Sequence, residues 1–225
     1  MPTTCNNNNS NTNLNEKINN FKKLLEIQSF ILLARPKEIV YKSELAKTKF
    51  LYDLNVVIEK GLLFLEIPWV DSENWLDLMS DLRSKFPNLQ IGSASLINQK
   101  SIDDSIKLDL NFSMMRFWNK DLYLYSKKND YLLIPGMTSF KDYKEAIFYN
   151  CCAIKIFPVA KKDILLDIKK FHQISFIAAG NIAIHDIKKF KSLGYTGVVI
   201  GSKGYDGEKV DPEIFKLLNR RMKNK

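Results

Sequence analysis

Two predicted strands carry a charged residue where an apolar one is expected. In the run Ala153–Phe157, Lys155 stands in the middle of otherwise apolar residues. Side chains alternate along a strand, so Lys155 lies on the opposite face from Ile154 and Ile156. Burying an ammonium group is costly, so an inward lysine is driven toward its neutral form, a nucleophile able to attack a ketone. The alternative is a lysine at a strand end whose amine reaches solvent.

A second inward charge is predicted in the segment Leu62–Pro68. Glu66 shares one face of this strand with Leu62 and Phe64, and it stands near the carboxyl end. In a barrel of parallel strands, polar residues at that end usually serve catalysis. Schiff-base chemistry needs an amine that forms an iminium and a carboxylate that moves protons. Lys155 and Glu66 are therefore the candidate catalytic residues. The structural alternative is a glutamate paired with a neighbouring lysine.

Glycines and one arginine supply candidate anion contacts near other strand ends. Gly180 follows the seventh predicted strand, and Gly201 and Ser202 follow the eighth. Backbone N–H groups at such turns, together with helix N-termini, can face a phosphate or a carboxylate. Arg35 follows the first strand and could add a fork-shaped contact. Glycine is common in loops of this kind, and Arg35 could equally begin a surface loop, so each signal alone is weak.

These residues need a scaffold that gathers strand ends, and the chain contains apolar, strand-like runs at a steady interval. Each run begins about 20–30 residues after the last, the length of one strand, one helix and two loops. The runs are Phe30–Leu33, Leu62–Ile67, Leu89–Ser95, Leu108–Met114, Tyr131–Ile134, Ala153–Phe157, Ser175–Ala179 and Gly197–Ile200. Segments between them, such as Ser72–Phe86, place apolar residues at helical spacing.

Strict alternation of strands and helices predicts the α/β class, with a parallel sheet closed into a (β/α)8 TIM barrel. The segment Ile18–Ile27 adds an extra N-terminal helix. A doubly wound open sheet is the alternative, but the glycine-rich first turn typical of that fold is missing.

The composition favours one folded domain behind a disordered tail. Residues 1–15 are Asn-rich with few apolar side chains to bury, so we expect disorder there and a single barrel domain over residues 16–225. The net charge is +9, but the lysines are scattered and no recognition motif accompanies them, so no nucleic-acid partner is expected. No apolar run reaches the length of a membrane span, so no membrane partner is expected.

The cysteines bear on compartment and on metal binding. There are three, and Cys151 and Cys152 are adjacent, so they do not form the spaced pairs of a disulfide framework. This usage indicates a reducing, cytoplasmic setting. No cluster of His, Cys and carboxylate residues has metal-ligand spacing, so no metal is expected.

Four short motifs, in order and at compatible spacing, resemble those of a known family. Leu65–Ile67 resembles its E-[IV], Phe86–Ser95 its F-P-x-x-x-I-G-A-G-T, Ile134–Thr138 its P-G-x-x-T and Ile154–Pro158 its K-x-F-P. From about Phe30 to Ser202 the sequence resembles the 2-keto-3-deoxy-6-phosphogluconate / 4-hydroxy-2-oxoglutarate aldolases. These are class I aldolases on a (β/α)8 barrel.

The resemblance implies a role for each candidate residue. Lys155 would form an imine with pyruvate or its aldol, and Glu66 would move protons. Four other residues would contact the substrate: Ser95 at the pyruvate carboxylate, and Gly180, Gly201 and Ser202 at a phosphate or the far end. Arg35 matches an arginine that many members have after the first strand, and it would also bind the substrate. The substrate would be a small keto acid, no cofactor would be needed, and relatives imply a homotrimer.

Several positions depart from the family pattern. Val70 stands where many relatives have an arginine four residues after the glutamate. Ala179 and Asn181 replace a threonine and one of two glycines after the seventh strand, and a residue with a side chain narrows an anion turn. The candidates for replacing lost anion contacts are Arg116, Lys161 and Lys162.

Three functions are therefore compared. The first is a lyase that cleaves or forms a 2-keto-3-deoxy (phospho)sugar acid or 4-hydroxy-2-oxoglutarate and releases pyruvate. The second is a barrel of the same family that has lost turnover and binds a small anionic metabolite; the altered turn favours it, and the retained Lys155 and Glu66 oppose it. The third is another phosphate-binding barrel enzyme, such as a phosphosugar isomerase, which would not need the lysine of K-x-F-P.

Overall fold

A computed structural model describes residues 8–159, 168, 171 and 173–223. Within them, nine parallel strands form a nearly closed barrel that confirms the predicted α/β barrel. The strands are β1 (Phe30–Leu33), β2 (Phe64–Pro68), β3 (Gln90–Leu96), β4 (Phe112–Met115), β5 (Leu133–Ile134), β6 (Gly136–Met137), β7 (Ala153–Ile156), β8 (Ser175–Ala178) and β9 (Gly197–Ile200). The helices are α1 (Asn8–Ile27), α2 (Glu44–Glu59), α3 (Glu73–Lys85), α4 (Gln99–Lys107), α5 (Lys120–Lys128), α6 (Phe140–Phe148), α7 (Ile187–Ser192) and α8 (Pro212–Lys223).

The fifth strand of the barrel continues beyond the predicted run Tyr131–Ile134 and consists of two pieces, β5 and β6, which close the barrel. The sheet order is β5-β4-β3-β2-β1-β9-β8-β7-β6, so the two halves form its opposite edges. Between them lies Pro135, which has no N–H to donate to a neighbouring strand. The Pro135 carbonyl still accepts a hydrogen bond from the Lys155 N–H at 2.9 Å. Strand β5 pairs with β4 and β6 pairs with β7, which joins the two edges around the barrel.

Helix α3 shows how the local sequence fixes the end of a site-bearing strand. Ser72 Oγ accepts a hydrogen bond from the Trp75 N–H and caps the helix. The predicted apolar stripe of Trp75, Leu78, Met79 and Leu82 is buried. The indole Nε1 of Trp75 donates to the Pro68 carbonyl at 2.8 Å, so the helix holds the carboxyl end of β2. None of the described helices combines the length and apolarity needed to cross a bilayer.

Helix α1 begins at Asn8, ten residues before the helix predicted from Ile18. The sequence predicts disorder for residues 8–15, and the structure differs there, while residues 1–7 lie outside the described residues. Burial supplies a physical reason, because Leu14 is 9% exposed and joins Phe21 and Leu25 in the apolar cluster inside the barrel. The buried apolar face of the helix therefore extends toward the N-terminus as far as Leu14, into the segment for which the composition suggests disorder.

The same helix closes the amino-terminal end of the barrel. The Phe21 ring lies 5.3 Å from that of Phe64 and 5.2 Å from that of Phe112, centroid to centroid. Gly92 leaves room for this arrangement, because a Cβ on it would lie 2.5 Å from the Phe112 ring. Gly92 also pairs in register with Glu66, so the packed aromatic layer lies directly beneath the level of that carboxyl group.

Replacing Gly92 by alanine is expected to destabilise the protein by about 1–3 kcal/mol, because the new methyl group must displace a confined ring. Phe112 has little room to move, since Phe21 and Phe64 both pack against it. Urea unfolding measures the change. Combined with Phe112→Leu, which frees space, Gly92→Ala should cost clearly less than it does alone. Additive costs in the double variant, or an unaffected single variant, would contradict this packing.

Candidate active site

A cavity of about 360 Å³ opens where the carboxyl ends of the strands meet. Its volume lies within the usual range for small-molecule sites. All seven site residues predicted from the sequence line it: Arg35, Glu66, Ser95, Lys155, Gly180, Gly201 and Ser202. The other lining residues are Leu33, Ala94, Arg116, Phe157, Ala179, Asn181, Ile182, Val199 and Lys203. The structure thus brings the predicted residues together, and their chemical roles stay predictions.

Alternation along β2 and β7 turns both charged side chains into the barrel. Phe64 and Ala153 belong to the apolar cluster inside it, and Glu66 and Lys155 follow two residues later on the same faces. The residues of opposite parity, Leu65, Ile67, Ile154 and Ile156, are buried in the clusters between barrel and helices. Glu66 is 1% exposed and Lys155 is 9% exposed. Both groups are therefore removed from water.

Glu66 is placed to exchange protons near neutral pH. Burial raises the pKa of its carboxyl group to about 7, while the positive charges of Lys155 and Arg35 oppose that rise. The Oε1 atom is buried and has no hydrogen-bond partner among the described residues. A carboxyl group with a pKa near the working pH can both accept and return a proton. The unpartnered Oε1 atom is therefore available for a hydrogen bond with a bound molecule.

Lys155 is shifted in the direction that favours a nucleophile. Burial lowers the pKa of its amine, the Glu66 carboxylate opposes this, and the positive charges of Arg35 and Arg116 lower it further. A lowered pKa increases the fraction of neutral amine, which is the form that attacks a carbonyl carbon. Lys155 pairs in register with Gly136 on one side and Ile177 on the other, so both neighbouring strands hold it in position.

The backbone at the predicted anion contacts has the shape that such contacts need. A Cβ on Gly201 would lie 2.8 Å from Arg35 Nη1, so this glycine leaves the space that the guanidinium group occupies. Gly180 has a φ of 115° and Asn181 a φ of 49°. Asparagine tolerates the left-handed region better than most residues. The turn after β8 therefore keeps a backbone conformation typical of glycine although Asn181 stands there.

Ser95 lies at an irregular point of β3. Its φ is 65°, and the register of β3 on β4 shifts between Ala94 and Leu96. A bulge of this kind re-aims a side chain, and strained backbone of this kind often occurs at functional sites. The half-buried Ser95 is directed to the cavity as a result.

Several other residues near the site lie outside the cavity, and one residue that lines it was not predicted from the sequence. Val70 is 42% exposed and does not line the cavity. Trp69 turns toward α4, where its Nε1 donates to Asp104 Oδ2 at 3.0 Å. Lys203 lines the cavity and was not predicted; its position directly after Ser202 was the available signal. Lys161 and Lys162 lie outside the described residues. Among the described residues, no three His, Cys, Asp or Glu side chains form a group able to hold a metal ion.

The raised pKa of Glu66 predicts a pH-dependent stability. Between its ordinary value of 4.5 and about 7, the folded protein holds a proton that the unfolded chain releases. The free energy of unfolding contributed by this group is therefore full below pH 4.5 and is lost as the pH rises through about 7. Urea unfolding from pH 5 to 8 should show wild type losing a few kcal/mol relative to Glu66→Gln, since one pKa unit is about 1.4 kcal/mol.

Glu26→Gln is the matched control, because Glu26 is an exposed glutamate on α1. Its stability should follow that of wild type across the same range. A constant difference between wild type and Glu66→Gln at all pH values would show that Glu66 titrates as an ordinary surface carboxyl group.

Comparison with known structures identifies several similar barrels. The KDPG aldolase of Legionella pneumophila, solved with pyruvate captured as a covalent carbinolamine intermediate, is 18% identical with a TM-score of 0.71, over 89% of this chain and 95% of that chain. The 2-keto-3-deoxy-6-phosphogluconate aldolase of Zymomonas mobilis ZM4, solved with 3-phosphoglycerate, is 18% identical with a TM-score of 0.71, over 91% and 95%. A designed cage of fused symmetric oligomeric domains is 15% identical with a TM-score of 0.68, over 87% and 74%.

These likenesses establish a shared fold. Comparison with curated protein sequences gives no match. The sequence model of one family, described as KDPG and KHG aldolase, matches residues 39–217. That match covers most of the chain and every site residue predicted from the sequence except Arg35. The chain therefore belongs to the KDPG and KHG aldolase family.

Proposed function

We propose that the protein is a class I aldolase that cleaves or forms a 2-keto-3-deoxy (phospho)sugar acid or 4-hydroxy-2-oxoglutarate. The observation that carries the proposal is a buried lysine and a buried glutamate lining one cavity at the carboxyl end of the barrel. Burial lowers the pKa of the Lys155 amine and raises that of Glu66 to about 7. The two groups are thus tuned toward the forms that Schiff-base catalysis uses.

The proposed reaction begins with the neutral Lys155 amine. Its nitrogen attacks the ketone carbon C2 of the substrate to give a carbinolamine. Protonated Glu66 supplies the proton with which the hydroxyl group leaves as water, so that an iminium ion and a Glu66 carboxylate remain. The Glu66 carboxylate then accepts the proton of the C4 hydroxyl group, and the C3–C4 bond breaks. The electron pair of this bond moves toward the iminium to form an enamine. The aldehyde leaves, and Glu66 returns the proton to C3 to give the iminium of pyruvate. Water then hydrolyses this iminium to pyruvate and the free amine, and Glu66 takes up the proton released.

Two further observations support this proposal. The similar Legionella pneumophila enzyme was captured with pyruvate as a covalent carbinolamine, the first intermediate of the sequence proposed here. Glu66 Oε1 is buried without a hydrogen-bond partner among the described residues, so it is free to bind a substrate hydroxyl group. Removing water from both groups strengthens their interaction with the reacting atoms.

The remaining predicted residues are proposed to hold the substrate. Ser95 offers a hydroxyl group from the bulge of β3, and Arg35 a guanidinium group beside Gly201. Gly180 and Ser202 complete the rim.

Homotrimer formation is part of the proposal, in line with the symmetric oligomeric domains of the similar designed cage. Sedimentation of the full chain tests it.

The second candidate is a barrel of this family that has lost turnover and binds a small anionic metabolite. The loss of one glycine after β8 favours it, since Asn181 brings a side chain into the anion turn. The left-handed backbone retained by Asn181 weakens that argument, because the turn is not reshaped. The buried amine and carboxyl group oppose it further, since an inactive barrel gains nothing from their cost.

Incubation with pyruvate and sodium borohydride is expected to add a reduced pyruvyl group to Lys155. The hydride reduces the imine to a stable secondary amine, which intact mass and peptide mapping detect. Lys155→Met should abolish the adduct. Lys128→Met is the matched control, because Lys128 is an exposed lysine on α5 away from the cavity, and it should keep the full adduct. Absence of an adduct on well-folded wild-type protein would reject the aldolase proposal in favour of the second candidate.

A further inference from the structure

Two guanidinium groups line the cavity, and neither has an ion-pair partner among the residues that the structure describes. Arg35 follows β1 and Arg116 follows β4, and both are exposed residues at the rim. The Arg116 guanidinium lies over the Phe117 ring, 5.4 Å from Cζ to centroid, and no carboxylate of the described residues pairs with it. Lys155 adds a further cationic group, whereas Glu66 is the carboxyl group in the lining. The excess of positive charge calls for an anionic ligand.

The two arginines belong to different sides of the site. The Arg116 carbonyl oxygen lies 2.6 Å from the position of a Cβ on Gly136, and Gly136 pairs in register with Lys155. Arg116 is thus connected to the lysine through one close neighbour. Arg35, by contrast, directly follows Ala34, whose N–H donates to the Glu66 carbonyl at 3.0 Å. The backbone of Arg116 therefore lies near the strand position beside the lysine, and that of Arg35 near the strand position of the glutamate.

The electrostatic effects of the two arginines also differ. The charges of Arg35 and Arg116 both lower the pKa of Lys155, that of Arg35 the more strongly, whereas the charges that lower the pKa of Glu66 are those of Lys155 and Arg35. The charge of Arg35 thus acts on the pKa of both groups. Arg116 acts on the lysine alone of the two.

The chemistry of a 2-oxo acid distinguishes these two positions. Its carboxylate is bonded directly to the ketone carbon, so it must stay next to the Lys155 nitrogen when that carbon is attached. The carbon atoms on which Glu66 acts lie on the other side of the ketone. A cation beside the lysine and away from the glutamate is therefore suited to the carboxylate bonded to the ketone carbon. A bidentate guanidinium group matches the two oxygens of that carboxylate.

We propose that Arg116 binds the carboxylate adjacent to the substrate ketone and makes the site selective for 2-oxo acids over other ketones. Arg35 is then left for an acidic group at the far end of the substrate. This inference rests on the proposed function, because it assumes that Lys155 forms the imine. It adds a specificity-determining residue from β4 to the seven predicted from the sequence.

The test compares borohydride trapping of pyruvate with that of methyl pyruvate, an uncharged ester carrying the same ketone. Wild type should prefer pyruvate. Arg116→Gln should reduce this preference about tenfold or more, since hydrogen bonds to charged groups are the stronger class. Removing Arg116 also changes the reactivity of Lys155, but that effect acts on both ketones and cancels in the ratio. Arg116→Lys should recover part of the preference because it restores a positive charge.

Lys128→Gln controls for loss of one positive charge anywhere on the surface, because Lys128 is exposed on α5. It should keep the wild-type preference. An unchanged preference in Arg116→Gln, with Lys155 still trapped, would overturn the role of Arg116 and leave the proposed function intact. Failure of wild type to trap either ketone would instead reject the proposed function, and the role of Arg116 with it.

Discussion

The properties of the candidate site depend on the burial of an amine and a carboxyl group inside an apolar barrel. Isolated charges in such a place are unfavourable, so each group is held toward its neutral form or stabilised by the other. Lys155 and Glu66 come from strands on opposite sides of the barrel. In each strand, the residue two positions earlier on the same face is apolar and lies in the cluster inside the barrel. The packing that makes burial of these charges unfavourable also lowers the pKa of Lys155 and raises that of Glu66.

The apolar layer beneath the pair is what maintains this environment. Helix α1 inserts Phe21 and Leu25 into the amino-terminal end of the barrel, and Phe64 and Phe112 pack on them. These side chains fill the barrel beneath the pair, and the cavity lies at the strand ends that carry the polar residues. The two arginines at that opening then add positive charge where a carboxylate substrate would enter.

Most of this arrangement could be predicted because it follows from alternation along single strands. Period-two spacing was enough to place Lys155 and Glu66 on inward faces, and the regular strand interval was enough to indicate a barrel. Three features could not be obtained that way. The left-handed backbone of Ser95 and the contact of Arg116 with Gly136 depend on the neighbouring strands, and the early start of α1 depends on tertiary burial of Leu14 in a segment whose Asn-rich composition favours disorder.

The most direct test of this account is an NMR titration of the lysine Cε signals in isotope-labelled protein. The Lys155 signal is assigned by its disappearance in Lys155→Met. If burial inside the barrel controls the amine, its midpoint will fall well below the ordinary lysine value of 10.5 and will stand apart from the exposed lysines. A Lys155 signal that titrates together with the exposed lysines would contradict the account, because the amine would then be neither desolvated nor activated.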